Sequence, residues 1–201
     1  MAGSGGARAR LFVAVDLPAE VREQLTAWAR EAAAGLQLGS APFTLRLLGR
    51  DVLHLTLCFL GSRPVAEITA IGAALNACTA HTAELSVGPP AWLPPRRPRS
   101  LGVAIHDDGG ALVSIHAAVT DALGNAIPWK PERRRFRAHV TLARTRGRPP
   151  AGWNAPGGSS PLPATPQLRF AAESLALYRS WLAPQGASYE PLARCDLLQR
   201  D

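Results

Sequence analysis

The sequence predicts an α+β protein with antiparallel or mixed sheets. Segments with the apolar patterns of strands alternate with segments whose apolar residues recur at helical spacing. The elements come in strand–helix–strand blocks of mixed order, which is typical of α+β folds. The chain has 201 residues, of which 47% are hydrophobic, so it can bury a sizeable core without disulfides or structural metals.

The first half of the chain contains two predicted helices. The first opens at Asp16 and Pro18, because a proline at an early helical position loses no hydrogen bond, and it ends near Gly35. The second begins at Pro64. Short apolar runs bounded by turn residues predict strands at residues 11–17, 44–48, 52–60 and 83–87.

The second half contains one predicted helix, whose apolar stripe runs from Leu112 to Leu123 and stops at Gly124. Strands are predicted at residues 101–105, 136–143, 168–177 and 189–198. Two stretches rich in proline and glycine, residues 88–99 and 147–166, are predicted to be loops. We expect a flexible N-terminus over residues 1–9, followed by a single domain over residues 10–201.

The positive charge of the chain lies in one segment. The whole chain has 22 Lys and Arg against 15 Asp and Glu, a net charge of +7. Residues 130–148 hold eight basic residues and one acidic residue, so this segment carries the entire excess. Such a cluster is the electrostatic footprint of a phosphate-rich partner such as nucleic acid. The alternative is a solvated loop in an arginine-rich sequence.

The N-terminal apolar run is too short for a signal peptide, because it stops at Asp16. No apolar run approaches the roughly 18–20 residues that span a bilayer. We therefore expect a cytoplasmic protein without a membrane partner, acting as a monomer. The three cysteines, Cys58, Cys78 and Cys195, share no metal-ligand spacing and are expected to be reduced thiols.

One short pattern occurs twice, as HLTL at residues 54–57 and as HVTL at residues 139–142. Both copies lie in predicted strands, so the His and Thr of each copy share one face while the two apolar side chains enter the core. One copy alone would be explained by a half-buried strand with a hydrogen-bonded histidine. Two copies in matching contexts favour a shared chemical function.

Two His–Thr pairs suit a phosphodiester site that uses no metal. An ordinary histidine pKa of about 6.5 allows one ring to act as a base and the other as an acid near neutral pH. In-line attack at phosphorus needs both groups. The hydroxyls of Thr56 and Thr141 can bond the non-bridging oxygens as charge develops there. No carboxylate cluster accompanies the histidines, so we expect no metal and no other cofactor.

The paired motifs resemble the signature of the two-histidine phosphoesterase superfamily, and within it the RNA 2′,3′-cyclic phosphodiesterases, also called 2′-5′ RNA ligases. Residues 10–15, 54–61, 136–144, 174–180 and 186–189 also resemble this family. Ala138 departs from it, because the family usually has proline before the second histidine. The resemblance covers residues 10–198. It implies a bilobal fold of two facing sheets with outer helices and a central cleft, with one motif on each lobe.

The resemblance implies that His54 donates a proton to the leaving oxygen and that His139 accepts one from water, although the residues alone do not distinguish these roles. It implies hydrolysis of a 2′,3′-cyclic RNA end to a 2′-phosphate. Candidate substrates are RNA ends, including tRNA-derived ends, and small cyclic-phosphate nucleotides. A 2′-5′ RNA ligase, another cyclic-phosphate phosphodiesterase and a non-catalytic RNA-end-binding module are the alternatives.

Two arginines near the second motif are further candidates for phosphate binding. Arg137 precedes His139 by two residues, so strand parity places it on the histidine face. Arg144 follows His139 by five residues, so regular parity turns it away unless a bulge re-aims it. The family pattern keeps an arginine at the position of Arg144. For both residues a solvated or ion-paired arginine is the alternative.

Overall fold

The computed structural model describes residues 6–37, 43–78, 80–81, 84–95, 97–147, 162–172, 174–183 and 186–198. Within these ranges the chain forms nine strands and three α-helices, which confirms the predicted α+β class. The strands are β1 Arg8–Asp16, β2 Thr44–Leu47, β3 His54–Pro64, β4 Glu84–Leu93, β5 Ser100–His106, β6 His139–Arg146, β7 Arg169–Ala171, β8 Ser174–Ala183 and β9 Gly186–Asp196. The helices are α1 Ala19–Gln37, α2 Ile68–Asn76 and α3 Ala111–Ala126.

The strands are hydrogen-bonded in the order β7-β4-β5-β6-β3-β1-β8-β9, and β2 pairs with β6. Neighbouring strands are antiparallel. Strands β3 and β6 meet through one residue pair, Leu55 with Val140. The sheet therefore has two halves, which join at that pair, and each half contributes one copy of the repeated motif.

The core lies beneath the two motif strands. Leu55, Leu57, Val140 and Leu142 are buried, whereas the His and Thr between them are half-buried. Helix α1 packs beside β2 and β6, and α2 and α3 pack against each other. The motif side chains thus lie on the face opposite the buried core. None of the described helices is long and apolar enough to cross a lipid bilayer.

Two predicted boundaries move because the sheet overrides local sequence signals. The sequence predicts a loop at residues 88–99, but β4 continues through Pro89 and Pro90 to Leu93. The strand register shifts between Val87 and Pro90, and β7 pairs only with residues 84–86. Proline has no backbone N–H to donate to a neighbouring strand. It is therefore tolerated at a bulge, and along a strand edge that has no neighbouring strand. Strand β1 likewise starts at Arg8, inside the predicted flexible N-terminus.

The remaining differences concern the ends of elements. Helix α3 continues past Gly124 to Ala126, and β6 starts at His139, three residues later than predicted. The strand predicted at residues 168–177 is divided between β7 and β8. Of the predicted loop at residues 147–166, residues 148–161 lie outside the described residues, as do residues 1–5 of the N-terminus.

Candidate active site

Each repeated motif opens a strand, since β3 begins at His54 and β6 begins at His139. Leu55 and Val140 are direct partners across the two antiparallel strands. Continuing this register by one residue on each side sets His54 across from Thr141, and Thr56 across from His139. The two His–Thr pairs therefore form one group of four polar side chains at the junction of the two halves.

The same irregularity follows both motifs. In β3, Thr56 pairs with Ala14 and Cys58 pairs with Val13, so Leu57 is an extra residue. In β6, the register against β5 shifts in the same way at Leu142. Each bulge buries two consecutive residues and returns the next side chain to the histidine face. That next residue is Phe59 in β3 and Arg144 in β6.

Both histidine rings are held in one tautomer. The Nδ1 atom of His54 lies 2.8 Å from the carbonyl oxygen of Val52, and that of His139 lies 2.8 Å from the carbonyl oxygen of Arg137. A carbonyl oxygen can only accept a hydrogen bond, so each Nδ1 carries a proton. The Nε2 atom of each ring is left for proton exchange with a substrate.

Aromatic side chains surround His54. Phe12 stacks on its ring, with 4.7 Å between the ring centroids, and Tyr189 meets it edge-on at 5.1 Å. Phe12 is buried and is also stacked on Tyr178. These contacts hold the ring in place, so the geometry of this histidine is set before any substrate binds.

A carboxylate distinguishes the two motifs. Asp16 is the β1 partner of His54, whereas the β5 residue that pairs with His139 is Ala104. Asp16 accepts hydrogen bonds from the Tyr178 hydroxyl at 2.5 Å and from Nε of Arg194 at 2.8 Å. Its negative charge is therefore fixed beside one histidine of the pair.

Burial lowers the pKa of His54 from its ordinary value of 6.5 to about 4. The hydrogen bond to Val52 and the charge of Asp16 act in the opposite direction, while the charges of Arg144 and His139 add to the lowering. At neutral pH the His54 ring is therefore neutral in the free protein. The charges of Arg144 and His139 therefore act on the His54 ring.

The pairing of β2 with β6 gives Arg144 a partner that the sequence did not predict. Arg46 of β2 lies directly across from Arg144, and both side chains are exposed. In the described part of the chain neither forms an ion pair. Two like charges directly opposite each other repel, so this pair is suited to an anion that bridges the two guanidinium groups.

A cavity of about 870 Å³ opens beside the two motifs. Thr56, Arg137 and His139 are among the residues that line it. The backbone carbonyl of Arg137 accepts the hydrogen bond from His139, and Arg137 is itself one of the residues that line the cavity. Arg46 and Arg144 are not among the described lining residues.

The structure brings the predicted site residues together in two overlapping groups. The charges of His139 and Arg144 act on the pKa of His54, and Thr56, His139 and Arg137 line one cavity. Thr141 lies across from His54 by strand register. In the described ranges no three His, Cys, Asp or Glu side chains converge as a metal site would require.

Sequence reasoning missed Asp16, Arg46, Phe59 and Tyr178. The sequence presents Asp16 only as the start of a helix, and Tyr178 only as part of a segment that resembles the family. Strand parity would place Phe59 on the buried side, because the bulge that re-aims it is a property of the β1–β3 pairing. Arg46 lies far from the second motif in sequence and joins it only through the pairing of β2 with β6.

Comparison with known proteins gives one relative in sequence and several in structure. The chain is 27% identical over 195 residues to the RNA 2′,3′-cyclic phosphodiesterase of Escherichia coli strain K12, covering 94% of this chain and 97% of that protein. No family model matches the sequence. The fold is similar to that of the Thermus thermophilus protein TT0787, with a TM-score of 0.69 and 28% identity over 96% of this chain and all of that chain.

The crystal structure of Escherichia coli LigT complexed with 3′-AMP is also similar, with a TM-score of 0.70 and 24% identity over 95% of this chain and 99% of that chain. At that identity the likeness concerns the fold. The two His–Thr motifs, which resemble the signature of the two-histidine phosphoesterases, therefore lie on a fold that this chain shares with these solved structures.

Proposed function

We propose that this protein hydrolyses 2′,3′-cyclic phosphate ends of RNA to 2′-phosphate ends without a metal ion. The observation that carries the proposal is the pair of motif histidines on adjoining strands. Each has Nδ1 bound to a carbonyl, and neither Nε2 has a hydrogen-bond partner among the described residues. Such a pair supplies the base and the acid that in-line attack on phosphorus needs. The relative in Escherichia coli that carries the name RNA 2′,3′-cyclic phosphodiesterase supports the choice of substrate.

In the proposed reaction a water oxygen attacks phosphorus while Nε2 of His139 accepts one of its protons. The bond between phosphorus and O3′ breaks, and Nε2 of protonated His54 donates its proton to O3′. The product is a 2′-phosphate and a free 3′-hydroxyl, and a proton passes from His139 back to His54 through solvent. Hydroxyls of Thr56 and Thr141, with Arg144 and Arg137, bind the non-bridging oxygens.

The carboxylate of Asp16 supports this division of roles. It favours the protonated form of His54 and thereby raises the pKa of that ring, and His139 has Ala104 at the corresponding place. In the free protein burial holds the pKa of His54 at about 4. A phosphodiester anion about 4 Å away stabilises the imidazolium by about 4 kcal/mol at an effective dielectric constant of 20, equivalent to about 3 pKa units. Substrate binding would therefore allow His54 to be protonated, as a proton donor must be, near neutral pH.

The test is an assay on a short RNA with a 2′,3′-cyclic end in excess EDTA, followed by mapping of the product phosphate. We expect full activity and a 2′-phosphate product. Activity that disappears on chelation and returns with added metal would overturn the metal-free mechanism. A 3′-phosphate product would overturn the proposed site of bond cleavage. Formation of a 2′-5′ bond between two RNA ends would favour the ligase, and binding without turnover would favour an RNA-end-binding module.

We also infer that one chain is sufficient and that it acts in the cytoplasm. Each half of the sheet contributes one motif to the same group of side chains, which supports a single bilobal domain acting as a monomer. The three cysteines are free thiols, as expected in a reducing compartment. Substrates of this kind include tRNA-derived cyclic ends and small cyclic-phosphate nucleotides.

A further inference from the structure

An acidic side chain lies beside one of the two motif histidines. Asp16 is the last residue of β1 and the direct strand partner of His54. Directly opposed side chains of an antiparallel pair share one face of the sheet, with Cβ atoms about 4.5–5.5 Å apart. The β5 residue that pairs with His139 is Ala104. The two halves of the site therefore differ in charge at equivalent positions of the repeat.

The hydrogen bonds of Asp16 distinguish it from a residue that caps a helix. An aspartate shortly before a helix ordinarily caps it, and α1 begins at Ala19. In the described part of the chain, however, the Asp16 carboxylate bonds side chains of β8 and β9, and no N–H of α1 is among its partners. The carboxylate is therefore held by the C-terminal strands and not by the helix that follows it.

Both oxygens of this carboxylate receive hydrogen bonds. The Tyr178 hydroxyl of β8 donates to Oδ1 at 2.5 Å, and Nε of Arg194 in β9 donates to Oδ2 at 2.8 Å. Burial raises the pKa of Tyr178, and its hydrogen bond to Asp16 acts in the same direction, so the hydroxyl remains a donor at neutral pH. The Asp16 side chain is only 22% exposed. Its position beside the His54 ring is thus fixed from two sides.

Tyr178 also takes part in the aromatic packing around His54. Phe12 stacks on both rings, with centroid distances of 5.3 Å to Tyr178 and 4.7 Å to His54. Tyr189 of β9 meets the histidine ring edge-on at 5.1 Å. Tyr178 therefore contacts the aromatic cluster through its ring and Asp16 through its hydroxyl, and it fixes the carboxylate relative to the histidine.

The fixed negative charge favours the imidazolium form of His54. Burial is the largest influence on the pKa of this ring and lowers it, whereas the charge of Asp16 and the hydrogen bond to Val52 raise it. The charges of Arg144 and His139 on β6 lower it further. Asp16 is therefore the charged side chain that opposes the loss of the proton.

We propose that Asp16 is a positioning residue of the proton donor, with Tyr178 and Arg194 holding its carboxylate where it stabilises protonated His54. The inference rests on the proposed function and extends the site from the two motifs to β8 and β9. Burial among aromatic rings favours the neutral form of a histidine. A proton donor at this place therefore needs a fixed negative charge in addition to that of the substrate.

The experiment compares the pH dependence of kcat on a cyclic RNA end for the wild type and Asp16→Asn, which removes the charge and keeps the shape. The descending limb of this profile reports loss of the proton from the donor in the substrate complex. We expect Asp16→Asn to move this limb about one unit toward lower pH and to lower kcat about tenfold above it. Asp121→Asn removes an exposed charge of α3 that forms no ion pair in the described ranges, and it should leave the profile unchanged.

A second substrate separates this role from a structural one. The leaving group of bis(4-nitrophenyl) phosphate departs without protonation, so its hydrolysis does not need the donor. Asp16→Asn should therefore lose less than about twofold on this substrate. Equal losses on the two substrates would show that the substitution disturbs the whole site, and they would overturn the inference.

Tyr178→Phe tests how the carboxylate is held, because it removes the hydroxyl and keeps the ring that stacks on Phe12. It should lower kcat on the cyclic end about three- to tenfold, as loss of one hydrogen bond does. In the Asp16→Asn background the same substitution should cost less than about twofold, because Tyr178 acts through the carboxylate. Equal losses in the two backgrounds would overturn the role of Tyr178.

An NMR titration of the free protein decides the inference independently of turnover. Absence of turnover by the wild type would reject the proposed function alone. The pKa of His54, about 4 in the wild type, should be lower in Asp16→Asn and unchanged in Asp121→Asn. An unchanged pKa of His54 in Asp16→Asn would overturn the inference.

Discussion

Leu55 and Val140 form the backbone pair that joins the two halves of the sheet, and each directly follows a motif histidine. Both side chains are fully buried. The junction that holds the halves together is therefore the same element that fixes the spacing of the two rings. A small displacement of either strand at this point would alter the distance between the two histidine rings.

Gly102 of β5 gives a direct test of this junction. A Cβ atom at this position would overlap the carbonyl oxygen of Val140, which belongs to backbone and cannot turn aside. We expect Gly102→Ala to displace β6, to lower the free energy of unfolding by about 1–3 kcal/mol, and to slow RNA hydrolysis more than tenfold. Chemical denaturation and steady-state kinetics measure the two effects.

Gly124 in α3 is the control for this substitution. A Cβ atom there meets nothing within 4 Å, so Gly124→Ala should raise the free energy of unfolding by about 0.5–1 kcal/mol and leave the rate unchanged. Wild-type activity in Gly102→Ala would contradict the prediction that the rate of hydrolysis depends on the spacing of the two motif strands.

The pair of Arg46 and Arg144 should bind substrate phosphate. We expect Arg46→Gln and Arg144→Gln each to lower kcat/KM by roughly 10- to 100-fold, the value of one charge-assisted hydrogen bond. Because the charge of Arg144 lowers the pKa of His54, Arg144→Gln should also raise that pKa in an NMR titration. Arg169→Gln, which removes an exposed, ion-paired arginine of β7, should change neither quantity.

Much of the site could be predicted because it resides in local sequence. The motif histidines and threonines alternate with apolar residues that enter the core, and this pattern alone identifies strands with one polar face. The low pKa of His54, the place of Asp16 beside that ring and the register pairing of Arg46 with Arg144 could not be predicted, because they depend on pairing between strands that are distant in sequence. The bulges that re-aim Phe59 and Arg144 likewise need both partner strands to be known.

The depressed pKa of His54 predicts acid sensitivity of the fold. Below pH 6.5 the unfolded chain binds a proton that the folded chain takes up only near pH 4. The stabilising contribution of neutral His54 is thus complete above pH 6.5 and is lost as the pH falls toward 4, by up to about 3 kcal/mol. The unfolding free energy of the wild type should fall over this interval more steeply than that of His54→Gln. If the unfolding free energies of the two proteins fell in parallel over this pH interval, the lowered pKa of His54 would be contradicted.

The roles of the two histidines can be separated by the leaving group. 4-Nitrophenolate departs from phosphorus readily without being protonated. Hydrolysis of its phosphodiesters therefore needs the general base but not the general acid. We therefore expect the loss of rate caused by His54→Ala, relative to the wild type, to be at least tenfold smaller on bis(4-nitrophenyl) phosphate than on a cyclic RNA end. His139→Ala should remain equally impaired on both substrates. Recovery of His139→Ala instead would exchange the two roles.

The most direct test of the two-histidine site is the rate of cyclic-end hydrolysis, in EDTA, by His54→Gln and His139→Gln. General acid–base catalysis supplies about 10²–10⁴ in rate for each group, so each variant should lose at least a hundredfold. Unfolding measurements should show that both variants remain folded, and His106→Gln, at the exposed end of β5, should keep the wild-type rate. A loss of less than tenfold in both motif variants would contradict the account.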